Sequence, residues 1–198
     1  MEGGTCTGCQ RPAIGGVTHP VCQMKYMPDG VFSSLVYSNV VKKLVYNFKY
    51  KPYLTHLAGS LVDLFYEGLI QKEHFYRTIT KDTLLVPIPL HPMRARKRGY
   101  NQSLLLANGL AKRFDLTVAD CLSRVKNTVP QVGLSQKERQ ENIKDAFALK
   151  SGVNMQDVAQ VFLIDDVVTS GATLKEAAKL LKKVGVGKVW GVTLAHGN

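Results

Sequence analysis

The stretch from Val158 to Leu194 constrains the fold more than any other part of the chain. Val158–Ile164 is an apolar, β-branched run that reads as a strand ending at Asp165-Asp166. Val167-Val168-Thr169-Ser170-Gly171-Ala172-Thr173 follows. From Thr173 to Val184, Leu174, Ala177, Ala178, Leu181 and Val184 recur at three- and four-residue steps, the spacing of one helix face. Gly185 stands where a helix end calls for left-handed backbone, and Lys188–Leu194 is strand-like again. Strand, helix, strand at this spacing is a βαβ unit, which demands a parallel sheet with a right-handed crossover. Ligands of such sheets bind beyond the carboxyl ends of strands, where the acidic pair and the hydroxyl-rich turn fall.

The rest of the chain supplies the layers. Leu35–Phe48 carries Val36, Tyr37, Val40, Val41, Leu44, Val45 and Phe48 at helical spacing, and Leu54–Ile70 resumes that pattern after a break at Pro52. Thr83–Pro89 reads as a buried strand entering a rigid, proline-closed loop. A further helix is expected over Asn101–Arg113, and polar Arg124–Asn142 reads as a long mobile loop. The expected divisions are a loop-built, zinc-binding module at 1–30, a helical segment at 31–80 packing on the core, and an α/β domain at 81–198.

The turn after the acidic pair has two electrostatic ends. Its backbone N–H groups, its Thr and Ser hydroxyls and the start of the following helix suit a phosphate. Carboxylates accept hydrogen bonds from sugar hydroxyls and can help hold Mg²⁺. A phosphate at one end and a diol at the other describe a ribose 5-phosphate.

These residues resemble the phosphoribosyl pyrophosphate motif of type I phosphoribosyltransferases, and the chain from Cys6 to about Leu194 resembles the ComF family of competence-associated, phosphoribosyltransferase-like proteins. The resemblance is carried by Cys6-Thr7-Gly8-Cys9, Asn47-Phe48-Lys49-Tyr50, Val86-Pro87-Ile88-Pro89-Leu90-His91 and Lys97-Arg98-Gly99-Tyr100-Asn101-Gln102. Gln131 with Arg139 and Asn142, and Ala146-Phe147, extend it. It implies a mostly parallel sheet flanked by helices, with Asp165 and Asp166 on the ribose hydroxyls and one of them supporting Mg²⁺. Thr169, Ser170, Gly171, Ala172 and Thr173 would bind the 5-phosphate; relatives commonly have Thr where this chain has Ser170, and the hydroxyl survives. Pro89, Leu90 and His91, with Arg94 and Arg98 nearby, would bind pyrophosphate, and Arg124, Gln131 and Arg139 match family positions in a segment suited to a lid. A basic loop equally suits a polyanion such as DNA.

Cys6-x2-Cys9 and His19-x2-Cys22 are two ligand pairs that can close a tetrahedral, structural Zn²⁺ site. Relatives often have four cysteines, so His19 is a departure that imidazole can fill. Cys121 stands alone and reads as a small buried residue.

The net charge of +11, with four cations in Arg94–Arg98, favours anionic partners without naming one. No apolar run reaches the roughly 18–20 residues that cross a bilayer, and the start has no apolar signal segment, so a cytoplasmic protein without membrane insertion is expected. Three functions fit: a Mg²⁺-dependent phosphoribosyltransferase, a single-stranded DNA-binding accessory protein of DNA uptake working with competence proteins, or a non-catalytic sensor of phosphoribosyl pyrophosphate. The acceptor, the oligomeric state and the retention of turnover are not legible.

Overall fold

The computed structural model describes residues 3–50, 55–129 and 133–197. Pro52, Tyr53, Leu54 and Gln131 lie outside the described residues. The N-terminal segment pairs β1 (Gly3–Thr5) with β2 (Pro12–Ile14) in antiparallel fashion and adds a 3-10 turn at Pro20–Cys22. The central sheet contains β3 (Gly30–Val36), β4 (Thr83–Pro87), β5 (Thr117–Val118), β8 (Gln160–Val168) and β9 (Lys188–His196). Its order is β3-β9-β8-β4-β5, and every neighbouring pair is parallel. A separate antiparallel pair joins β6 (Leu122–Arg124) to β7 (Phe147–Leu149).

Side chains alternate across the sheet, as a period of two requires. Val161 and Leu163 pack with Leu174, Ala177, Ala178 and Leu181 of α7 (Ala172–Lys183) on one face. Phe162 and Ile164 pack on the other face with α1 (Asn39–Lys49), α2 (Leu57–Ile70), α3 (Glu73–Thr78) and α5 (Gln102–Phe114). Phe32 anchors that second layer, stacked on Trp190 at 5.1 Å and meeting Phe75 edge-on at 5.3 Å. Two short helices complete the chain, α4 (Pro92–Arg98) and α6 (Gln136–Ile143). The result is the layered α/β architecture that the βαβ pattern demands. Among the described residues, no helix is long and apolar enough to cross a membrane.

Three local expectations are corrected. The expected helix from Leu35 begins only at Asn39, because Gly30–Val36 is a strand bonded to β9 along the sheet edge. The supposed mobile loop at Arg124–Asn142 contains the end of β6 and most of α6, whose start is closed by a capping box. The Ser135 hydroxyl accepts the Glu138 N–H, and the Glu138 carboxylate accepts the Ser135 N–H at 2.7 Å. Finally, β8 does not end at the acidic pair. It continues to Val168, held by β9 through Asp165 opposite Thr193 and Val168 opposite His196, whereas its ladder to β4 stops at Pro87 opposite Ile164.

Candidate functional site

Because β8 outruns β4, both aspartates stand on extended backbone at the lip of a crevice. The chain leaving β4 returns through α5 on one face of the sheet, and the chain leaving β8 returns through α7 on the other. This divergence is the switch point at which open α/β sheets bind ligands. The crevice is a cavity of about 420 Å³.

Asp166 is 2% exposed and pairs with Lys49 Nζ at 2.8 Å, a lysine delivered by the last turn of α1. Its second oxygen, Oδ2, is buried with no partner. Asp165 Oδ1 accepts the Ser103 hydroxyl at 3.1 Å and the Asp166 N–H at 2.9 Å. Burial and the neighbouring Asp166 charge push the Asp165 carboxyl up to about 7, against the pull of Lys49 and those two hydrogen bonds. Burial also works against the charge of Lys49, but Asp166 and Asp165 outweigh it and hold the ammonium above its usual range.

The turn after β8 bends at Gly171, whose φ of 69° is left-handed and whose position is the N-cap of α7. Asp165 and the run from Val167 to Leu174 wrap a recess of about 20 Å³ at that helix start. Arg139 Nη1 reaches across from α6 and donates to the Thr169 hydroxyl at 2.7 Å, while its Nε donates to the Leu134 carbonyl.

The opposite wall is cationic. Arg94 donates to the Thr128 carbonyl and Arg124 to the Thr128 hydroxyl, so one threonine pins two guanidinium groups. Arg124 is 8% exposed, lies over the Phe147 ring at 5.7 Å and keeps its Nε buried without a partner. Burial and the Arg94 charge bring its pKa down to about 10, with Asp165 acting the other way. It is still protonated at neutral pH.

Most of the residues anticipated for this site converge on it. Asp165, Asp166, Thr169, Thr173, Pro89, Leu90, Arg94 and Arg98 line the large cavity, and Ser170, Gly171 and Ala172 line the recess beside it. His91 does not line the cavity; it caps α4 by accepting the Met93 N–H at Nδ1. Arg98 donates to Gln102 and sits over the Tyr50 ring at 5.9 Å. Sequence reasoning gave no role to Lys49 or Ser103. The signal for Lys49 was its place at the end of an amphipathic helix within a recognised motif.

Cys6, Cys9, His19 and Cys22 place their ligand atoms within 4.8 Å of one another. His19 Nε2 lies 3.0 Å from the Pro12 carbonyl and therefore carries the proton, leaving Nδ1, 3.4 Å from Cys9 Sγ, to coordinate. Burial alone would raise the Cys6 thiol, yet hydrogen bonds from the Cys9, His19 and Gly8 backbones and from Cys9 bring it down to about 6. Cys22 moves up to about 11 through burial and the other two sulfurs. Three sulfurs crowded this closely favour a divalent, thiophilic ion, so the donor set fits a closed zinc site. Cys121 is 3% exposed, and burial raises its thiol to about 11, as an inert core residue.

An acidic pair where a sheet strand outruns its neighbour, a glycine turn into a helix and a cationic wall define a phosphoribosyltransferase-type domain, and residues 101–198 match the phosphoribosyl transferase domain family. The chain is 30% identical over 194 residues to the DNA utilization protein YhgH of Escherichia coli, covering 93% of this chain and 80% of that one. It is 29% identical to competence protein ComFC of Bacillus subtilis, with 93% and 74% covered. Competence protein F of Haemophilus influenzae is 43% identical over 114 residues, which are 56% of this chain and only half of that protein. The chain belongs to the ComF family of phosphoribosyltransferase-like proteins. A purine phosphoribosyltransferase from Pyrococcus horikoshii is 15% identical, with a TM-score of 0.33 over 70% of this chain and 83% of that one, too distant to bear on function.

Proposed function

We propose that the crevice binds phosphoribosyl pyrophosphate and transfers its ribose 5-phosphate to a nitrogen nucleophile. The observation that carries this reading is the convergence on one cavity of two carboxylates, Asp165 and Asp166, and a cationic wall of Arg94, Arg98, Arg124 and Arg139. A ligand with sugar hydroxyls at one end and anionic phosphate oxygens at the other matches both walls, since carboxylates accept from hydroxyls and guanidinium groups donate to phosphate. The aspartates would take the ribose diol, the Thr169–Thr173 turn the 5-phosphate, and Arg94 with Arg124 the pyrophosphate.

In the reaction the bond from the anomeric carbon to pyrophosphate breaks, pyrophosphate leaves with the electron pair, and the nitrogen–carbon bond forms with loss of a proton. Guanidinium groups already fixed by Thr128 meet the charge growing on the leaving group without reorganising, which is where such groups lower a barrier most. Mg²⁺ carried with the ligand would add charge neutralisation, and the oxygens of Asp165 and Asp166 suit the hydroxyls or water that hold it. Arg139, bonded to Thr169 from α6, would fix the threonine hydroxyl at the 5-phosphate end of the crevice. Calorimetry with phosphoribosyl pyrophosphate and Mg²⁺ tests the reading: wild type binds and Asp165→Asn/Asp166→Asn does not, whereas equal affinity overturns it. Pyrophosphate release across a panel of nitrogen bases then separates an enzyme from a sensor that only binds.

A second reading, single-stranded DNA binding, is favoured by one surface. Tyr46 and Tyr50 are 58% and 42% exposed, with ring centroids 4.8 Å apart, and Arg98 covers Tyr50. Exposed aromatic rings beside cations are stacking platforms for bases, and YhgH is named for DNA utilization. Tyr46→Ala/Tyr50→Ala should weaken oligonucleotide binding at low salt; no binding by wild type at low salt removes this reading.

A further inference from the structure

We infer that Gln10 is a positioning residue through which the cysteine–histidine knuckle sets the anion affinity of the turn after β8. The inference rests on the reading of that turn as a phosphate cradle. Gln10 follows the second ligand of the knuckle, and its backbone N–H bonds the Cys6 carbonyl at 2.9 Å. Its φ is 61°, a left-handed conformation. The amide Nε2 then spans two segments, donating to the Thr7 carbonyl at 3.2 Å and to the Ser170 carbonyl at 3.3 Å, 160 residues away.

Ser170 and Gly171 share one planar peptide, in which the carbonyl and the N–H point in opposite directions. A Ser170 carbonyl held toward the knuckle therefore turns the Gly171 N–H away from it. Gly171 holds its left-handed φ of 69° in open surroundings, where a Cβ would meet nothing closer than 3.9 Å. The turn is otherwise tied by the Ser170 hydroxyl, which accepts the Ala172 N–H at 3.5 Å, and by the Gly171 carbonyl, which accepts the Lys175 N–H at 2.9 Å; neither bond involves the Ser170 carbonyl. The cleft between knuckle and turn is about 30 Å³, too small for a ligand of its own, so the amide acts as a strut across it. Metal loading shapes the loop that carries Gln10, which makes the cradle's geometry depend on the knuckle.

The test uses Gln10→Gly, which suits the left-handed backbone, and Gln10→Asn, which keeps the amide but is one methylene short. Zinc content, calorimetry with ribose 5-phosphate and the amide resonance of Gly171 are measured together. Both variants should retain one zinc per chain, lose about five- to tenfold in affinity, the effect of one hydrogen bond, and shift the Gly171 resonance in the free protein. Wild-type affinity in both variants, with wild type binding, overturns the coupling and leaves the phosphate reading intact. Wild type that binds neither ribose 5-phosphate nor phosphoribosyl pyrophosphate overturns both. Loss of zinc from both variants would place Gln10 within the knuckle's own fold and also overturn the assignment.

Discussion

Lys49 decides the electrostatics of the acidic pair. The Lys49 side chain is 24% exposed and the Asp166 side chain only 3%, so Lys49→Met leaves a buried carboxylate uncompensated. The expected loss is about 3 kcal/mol in urea unfolding, the usual cost of breaking such a pair. Asp165 has the opposite sign from an ordinary carboxylate. Its folded pKa, near 7, lies above the ordinary carboxylate value of 3.8, so between about pH 4 and pH 7 the folded state binds the extra proton. Its contribution is therefore full below pH 4 and is lost as pH rises through 7. Asp165→Asn should flatten that decline, so the variant gains on wild type when unfolding is compared at pH 5 and pH 8. The aspartates themselves were legible in the sequence, because a strand, two acids and a glycine turn are contiguous. Lys49 and Ser103 were not, because they come from α1 and α5, and only the packing of those helices brings them to β8.

At the scale of elements, α7 and α6 depend on their first residues for different reasons. Gly171→Ala meets no steric obstacle, yet forces a side chain into left-handed backbone at a cost of about 1–2 kcal/mol. Thermal unfolding should show that loss, together with weaker ribose 5-phosphate binding. Ser135→Ala removes the capping box and about 1 kcal/mol from α6. Hydrogen exchange should quicken locally in residues 136–143, with the sheet unaffected. Helix α6 was hidden in the sequence because Gln136–Asn142 is uniformly polar and only Ile143 is buried, which leaves no apolar period to read. Its start was nonetheless written in Ser135 and Glu138. The edge strand β3 was missed for the converse reason: Leu35 and Val36 continue smoothly into the helical spacing of α1, and nothing local separates strand from helix.

The whole molecule is rooted at both ends of the site. The knuckle joins the sheet through the Thr18 N–H on the Asp29 carbonyl, and Asp29 in turn binds Lys182 of α7 at 2.8 Å and the Val189 N–H of β9 at 2.8 Å. Chelation should therefore expose the N-terminal segment to limited proteolysis while the helical circular dichroism of the core persists. The crevice walls also set how a ligand arrives. Lys49, Arg94, Lys97, Arg98, Arg124 and Arg139 face two carboxylates, one of which is half-protonated near neutral pH. Such an imbalance acts at a distance, drawing polyphosphates in by diffusion before any contact forms. Ionic strength should accordingly slow capture in stopped-flow traces and leave escape almost untouched, making this mouth an electrostatic funnel whose speed is tuned by the surrounding salt.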